Sequence, residues 1–162
     1  MHYIVDGHNL IGHSRTIQLA DPDDEAQLTD ALHRWVLRNK RARVTVVFDG
    51  GVYGHPLRLE RPNVRTVFAR SPQDADTRLI ALIQAIAEPG AFRIVTSDRV
   101  VAAAAKAHGV QVIDSAQFAA ELEQPVKPRR DAVRKRRTEP KLPRSEVEDW
   151  LRLFGAEPPT AD

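Results

Sequence analysis

The chain has 162 residues, 28% of them charged and 42% hydrophobic, with no cysteine and a formal net charge of +2. That length fits one domain with an appended tail, and the lack of cysteine excludes disulfides, thiolate zinc sites and cysteine nucleophiles. The N-terminus runs straight into a strand with no signal-type segment, and no apolar run approaches the roughly 20 residues that span a bilayer, so a cytoplasmic protein with no membrane partner is expected.

The opening decapeptide, MHYIVDGHNL, reads as a buried strand over about 3–6 that ends in Asp6-Gly7, with Asn9 just beyond. Asp21-Pro22-Asp23-Asp24 announces a helix, with Asp21 as N-cap and Pro22 as the first helical residue. Its apolar stripe is Leu28, Ala31, Leu32, Trp35 and Val36. A second strand over 44–48 closes on Asp49-Gly50, and a long irregular stretch leads to a third strand at about 64–69. Loops of that length inside a compact domain are often functional. Ser71-Pro72-Gln73-Asp74 has the form of a capping box, which predicts a helix from there to about Ala87. A strand over 92–96, a helix over 99–108 stopped by Gly109, a strand over 110–114 and a helix from Ser115 to about Glu123 complete the series.

Five strands alternating mostly with helices define the α/β class: a three-layer α/β/α domain, residues 1–123, around a mostly parallel five-stranded sheet. Residues 124–162 hold six of the eleven prolines and form a basic arm that closes on a short amphipathic helix opened by Ser145-Glu146-Val147-Glu148. Within it, residues 127–144 carry nine Lys/Arg against Asp131 and Glu139, a net of +7, so the remainder sums to −5. An acidic body with a basic arm points to a polyanionic partner, most often nucleic acid.

Four strand-like runs end in aspartate: Asp6, Asp49, Asp98 and Asp114. Strand ends on one edge of a parallel sheet are where such folds place their chemistry, and gathered like charges require a compensating cation. Asp6 and Asp49 each precede glycine, a common turn signal; Asp98 and Asp114 each precede a helix, where an N-cap is the ordinary role, and Asp114 is assigned to that role. Asp76 lies too deep for capping if Ser71 opens its helix. It shares a stripe with Leu79, Ile80, Ile83 and Ala87, so its carboxylate is expected to point along the buried face, where it needs a partner or a metal. Hard cations take oxygen ligands from separate elements, and the six histidines show no zinc-type i,i+4 pair. His8 lies near the strand end, where it either touches a phosphate or a metal-bound water or, as the favoured expectation, faces solvent.

These pieces resemble the NYN-domain family of PIN-like ribonucleases, in its bacterial YacP-like, ribosome-associated endoribonuclease branch. The matching segments are IVDGHNLIG at the start, VVFDG, Ala75-Asp76 with Arg78 and Ile80, VTSDR at 95–99 and GVQVIDSAQF at 109–118. The resemblance implies a PIN-like fold and metal-dependent cleavage of RNA, with ribosome association. It implies Asp6, Asp76 and Asp98 as the metal-site core, Asn9 as a nearby polar contact and Asp49 as an additional acidic member.

On that reading Mg²⁺ or Mn²⁺ activates a water for in-line attack, and no protein nucleophile is needed. Tyr53, His55, Arg58, Arg61 and Arg65 are expected to grip phosphate and stack a base, and Arg129, Arg130, Arg134, Lys135, Arg136 and Arg137 of the arm to add RNA affinity. The competing reading is a catalytically inactive RNA-binding module that uses the arm. A receiver-type phosphoacceptor fails for want of paired acids after the first strand, and P-loop and dinucleotide motifs are absent.

Overall fold

The computed structural model describes residues 1–50, 59, 61–69 and 74–124, within a compact unit that spans Met1–Gln124. Tyr53, His55, Arg58, Ser71, the arm cations and the C-terminal helix lie outside the described residues. Five strands are present: β1 (His2–Asp6), β2 (Arg43–Phe48), β3 (Val64–Phe68), β4 (Phe92–Val95) and β5 (Gln111–Ile113). They form one sheet in the order β3-β2-β1-β4-β5. Every pairing is parallel, with Asp6 opposite Val47 and Val5 opposite Val95.

The helices are α1 (Gly7–Gly12), α2 (Asp24–Arg38), α3 (Ala75–Gln84), α4 (Arg99–Ala107) and α5 (Ser115–Leu122). Alternation along each strand divides the core into two layers, as a period of two requires. Val5, Val44, Val46, Phe48 and Val95 pack with Leu10, Leu28, Leu32, Trp35 and Phe118 from α1, α2 and α5. Ile4, Val47 and Ile94 pack with Leu79, Ile83, Val101 and Ala105 from α3 and α4. The aromatic centre of the first layer is Trp35, whose ring meets Tyr3 and Phe118 edge-on at 4.9 and 5.1 Å while its Nε1 donates to Glu121 at 2.9 Å.

Three local expectations are corrected. Asp21-Pro22 forms a turn, in which the Asp24 N–H donates to the Asp21 carbonyl at 3.2 Å, and α2 begins only at Asp24 with Asp23 as its cap residue. The N-cap of α3 is Asp74, whose side chain accepts from the Thr77 N–H at 2.8 Å, so the helix starts at Ala75 rather than near Ser71 and ends at Gln84 rather than Ala87. Asp76 is consequently a first-turn residue. The face buried in the core belongs to Ala75, Leu79 and Ile83, and Asp76, one position around the helix, is exposed. A stripe built on offsets from Asp76 was shifted by one residue, enough to rotate a side chain about 100° out of the core.

Between β1 and β2 the structure adds α1, a short helix that no periodicity announced. Gly7 permits it: a Cβ there would overlap the ring of Phe48 and stand 2.9 Å from the Val47 carbonyl oxygen. The glycine after Asp6 is therefore a close-packing residue, and not the turn signal its pairing with Asp suggested.

Candidate functional site at the carboxyl edge of the sheet

The strand order makes a topological switch point at β1 and β4. The connection leaving β1 runs toward β2, while the one leaving β4 runs toward β5, so a crevice opens between their carboxyl ends. Asp6 closes β1 there. It is 5% exposed. One carboxylate oxygen accepts from the Asn9 N–H at 3.3 Å, capping α1, and the other accepts from the Thr96 hydroxyl at 3.1 Å. Thr96 Oγ1 in turn accepts from the Asp98 N–H at 3.0 Å, so the ends of β1 and β4 are tied by one hydroxyl.

Asp98 is the N-cap of α4, its Oδ1 taking the N–H groups of Val100 and Val101 at 2.7 and 3.0 Å. Asp114 caps α5 in the same way, accepting from Ala116 and Gln117 at 2.9 and 3.2 Å, in agreement with its assigned role. The Ser97 hydroxyl donates to Asp114 at 2.8 Å and holds that carboxyl below its ordinary range. Asp49 ends β2 and reaches across to the first residue of α3, accepting from the Ala75 N–H at 2.6 Å. Among the described residues, the Asp76 side chain makes no hydrogen bond or ion pair.

Electrostatics couple these acids. Burial pushes the Asp6 carboxyl up to about 6; hydrogen bonds from Thr96 and Asn9 act against the rise, and the charges of Asp76 and Asp49 add to it. Asp76 is also raised, by desolvation first and then by the charges of Asp98, Asp74 and Asp49. Asp76 is thus coupled by repulsion to each of Asp6, Asp49 and Asp98 along this edge. Among the described residues no three of them bring ligand atoms within 4.8 Å of one another; His8, Asp24 and Glu25 do, with one ring nitrogen and two carboxylate oxygens.

That second group corrects the placement of His8. Its Nδ1 accepts the Asp49 N–H at 3.3 Å, which puts the proton of the neutral ring on Nε2, 3.6 Å from Glu25. Asp24 and Glu25 come from the start of α2, far from His8 in sequence, so no spacing motif revealed them. Sequence reasoning also missed Thr96, Ser97 and Ser115 as working parts of this edge; the VTSDR and DSAQF segments contained them, but only their aspartates drew notice.

The described members of the expected RNA-contact set separate. Arg61 Nε donates to Asp30 at 2.9 Å. Arg65 lies on β3 opposite Thr45, short of the strand end, and lines a 450 Å³ groove with His2, Arg78 and Phe92.

Asp6 and Asp76, both raised by burial and neighbouring charge, offer the oxygen donors that hard divalent cations take. Comparison with known proteins adds a family. The model of the YacP-like NYN domain matches residues 3–153. Two crystal structures of Rae1 (YacP) from Bacillus subtilis are similar: one at 24% identity with a TM-score of 0.62, covering 96% of this chain and 92% of the other. The W164L mutant gives 21% identity and a TM-score of 0.59, covering 99% and 87%. No curated protein sequence matches.

Proposed function

Because this chain belongs to the YacP-like NYN domain family, a family of nuclease type, we propose that it is a cytoplasmic, metal-dependent endoribonuclease that cuts RNA phosphodiester bonds. Asp6, Asp76 and Asp98 would hold Mg²⁺ or Mn²⁺, with Asp49 as an additional acidic member and Asn9 beside them. The observation that carries this reading is Asp6: a carboxylate at the switch point, almost wholly buried, raised to about 6, with other acids adding to the rise. When bound, such an ion supplies an activated water and neutralises charge on the scissile phosphate. The chain's own residues supply rigidity. Thr96 and the Asn9 N–H fix Asp6, the start of α4 fixes Asp98, and the start of α3 fixes Asp49. Asp76 alone of the four remains free to turn toward an incoming cation.

The test is cleavage of a short single-stranded RNA. EDTA stops it and added Mn²⁺ restores it; activity that survives thorough chelation removes the metal mechanism. Asp76→Asn abolishes cleavage while leaving the thermal midpoint in metal-free buffer unchanged or raised, and a variant that cuts normally with Mn²⁺ supplied removes Asp76 as a ligand. RNA bound but never cut by the wild type would favour the RNA-binding module instead.

The arm, through Arg129, Arg130, Arg134, Lys135, Arg136 and Arg137, is proposed to bind long or ribosomal RNA and so to bring the enzyme to the ribosome. Truncation after Glu123 then leaves turnover of the short RNA measurable and weakens binding to ribosomes. With about four arm contacts to single-stranded phosphates, truncation flattens the log K against log salt slope by roughly three units. An unchanged slope assigns the grip to the domain itself.

A further inference from the structure

Asn9 is held by its carbonyl oxygen. Oδ1 accepts from the Ser97 N–H at 2.9 Å and from the Ser115 hydroxyl at 2.7 Å. A main-chain N–H can only donate, so the opposite amide orientation would set two donors against each other, and chemistry alone fixes which way this side chain faces. The amide nitrogen, with two N–H donors, is turned to the other side. Among the described residues nothing accepts from it.

The holding groups are themselves fixed. Ser115 is 0% exposed. Its N–H donates to Ser97 Oγ at 3.1 Å, and that hydroxyl donates on to Asp114, the cap of α5. The ends of β4 and β5 thus converge on a residue in the first turn after β1, next to Asp6. Several precise bonds orient one amide whose donors then go unused inside the protein.

We propose that the Asn9 amide nitrogen is a phosphate donor, contacting a non-bridging oxygen of the RNA strand, and that Ser115 is the positioning residue that keeps it facing outward. This rests on the nuclease reading of the same edge. A carboxylate-lined crevice repels an approaching phosphodiester, and a neutral, pre-oriented donor grips its oxygen without competing for a cation. Ser115 touches no substrate and acts through Asn9.

The experiment measures affinity for a fluorescein-labelled single-stranded RNA of roughly ten nucleotides by anisotropy with Ca²⁺ present, and cleavage separately with Mn²⁺. Asn9→Asp retains an oxygen for Ser97 and Ser115 but replaces the donor with a second acceptor. It is expected to weaken RNA binding about tenfold, since a hydrogen bond to a charged group is lost and a negative charge joins Asp6 at the same edge. Ser115→Ala, which changes no charge, is expected to weaken binding about threefold alone and to add nothing in the Asn9→Asp background, the signature of two residues acting as one unit. Wild-type affinity in Asn9→Asp overturns the proposal, as does a Ser115→Ala loss of equal size in both backgrounds. If Ser115→Ala fails to fold, Asn9→Asp alone decides. Wild-type protein that binds RNA through this cycle but never cuts it would overturn the nuclease reading and leave the Asn9 contact standing; the reverse pattern would overturn this inference alone.

Discussion

The chain writes Asp-Gly twice, at the ends of neighbouring strands, and the two copies do different work. Asp6 is buried, bridges Thr96 to the start of α1, and is raised to about 6. Asp49 is exposed, accepts the first N–H of α3 and donates its own N–H to His8. Gly7 is pressed between Phe48 and the Val47 carbonyl, whereas among the described residues beyond its chain neighbours nothing stands within 4 Å of where a Gly50 Cβ would be. The same dipeptide is packed at the centre of the sheet and exposed one strand away. Position relative to the switch point makes the difference: β1 is the central strand, beside β4 where the connections part, and the residue that follows Asp6 packs against Phe48 of β2.

The largest expected effect that would break this comparison is on activity. Asp6→Asn is expected to lower Mn²⁺-supported RNA cleavage by about a thousandfold or more, on the scale of losing a group that acts in the transition state, and Asp49→Asn by about tenfold to a hundredfold. Initial rates on one RNA measure both, and equal losses would mean that the buried site is no more central than the exposed one.

The pH dependence of stability comes next. Asp6 has its folded value raised from 3.8 to about 6, so across that interval the folded protein keeps a proton that the unfolded chain has already released. The stability this group contributes is therefore fully present below about pH 4, is lost as pH rises through about 6 and stays level beyond, a change of up to about 3 kcal/mol. In metal-free urea unfolding, Asp6→Asn should flatten that slope. Parallel slopes for wild type and Asp6→Asn would sink the assignment.

Smaller effects sharpen the comparison. Gly7→Ala is expected to cost about 2 kcal/mol through overpacking against rigid ring and backbone atoms, and Gly50→Ala to stay within about 0.5 kcal/mol. Chemical denaturation of the two alanine variants reads this directly. Asp49→Ala removes the acceptor for the Ala75 N–H and is expected to cost about 1 kcal/mol, as loss of a helix cap does; an unchanged midpoint would show that water replaces it.

The sequence by itself determined the five strands within a residue or two, because each is an apolar, β-branched run and four of them are stopped by aspartate, and it placed Asp6, Asp49 and Asp98 together at strand ends because parallel strands share one carboxyl edge. It also identified Asp114 as a cap. The tertiary structure decided what each aspartate experiences. Asp76 turned out exposed because Asp74, rather than Ser71, caps α3, and the choice between two cap-forming residues depends on where the helix must sit over β1 and β2. Asp6 is raised because packing at the end of β1 buries it, against the opposing hydrogen bonds of Thr96, just past β4, and of the Asn9 N–H in α1. Asn9, Ser97 and Ser115 lie on three separate segments whose shared hydrogen bonds exist only once the chain crosses from one half of the sheet to the other. Local pattern fixes which residues lie at an edge, since periodicity and capping act over a few positions; burial, proton affinity and the direction of an amide depend on neighbours that only the crossover brings near.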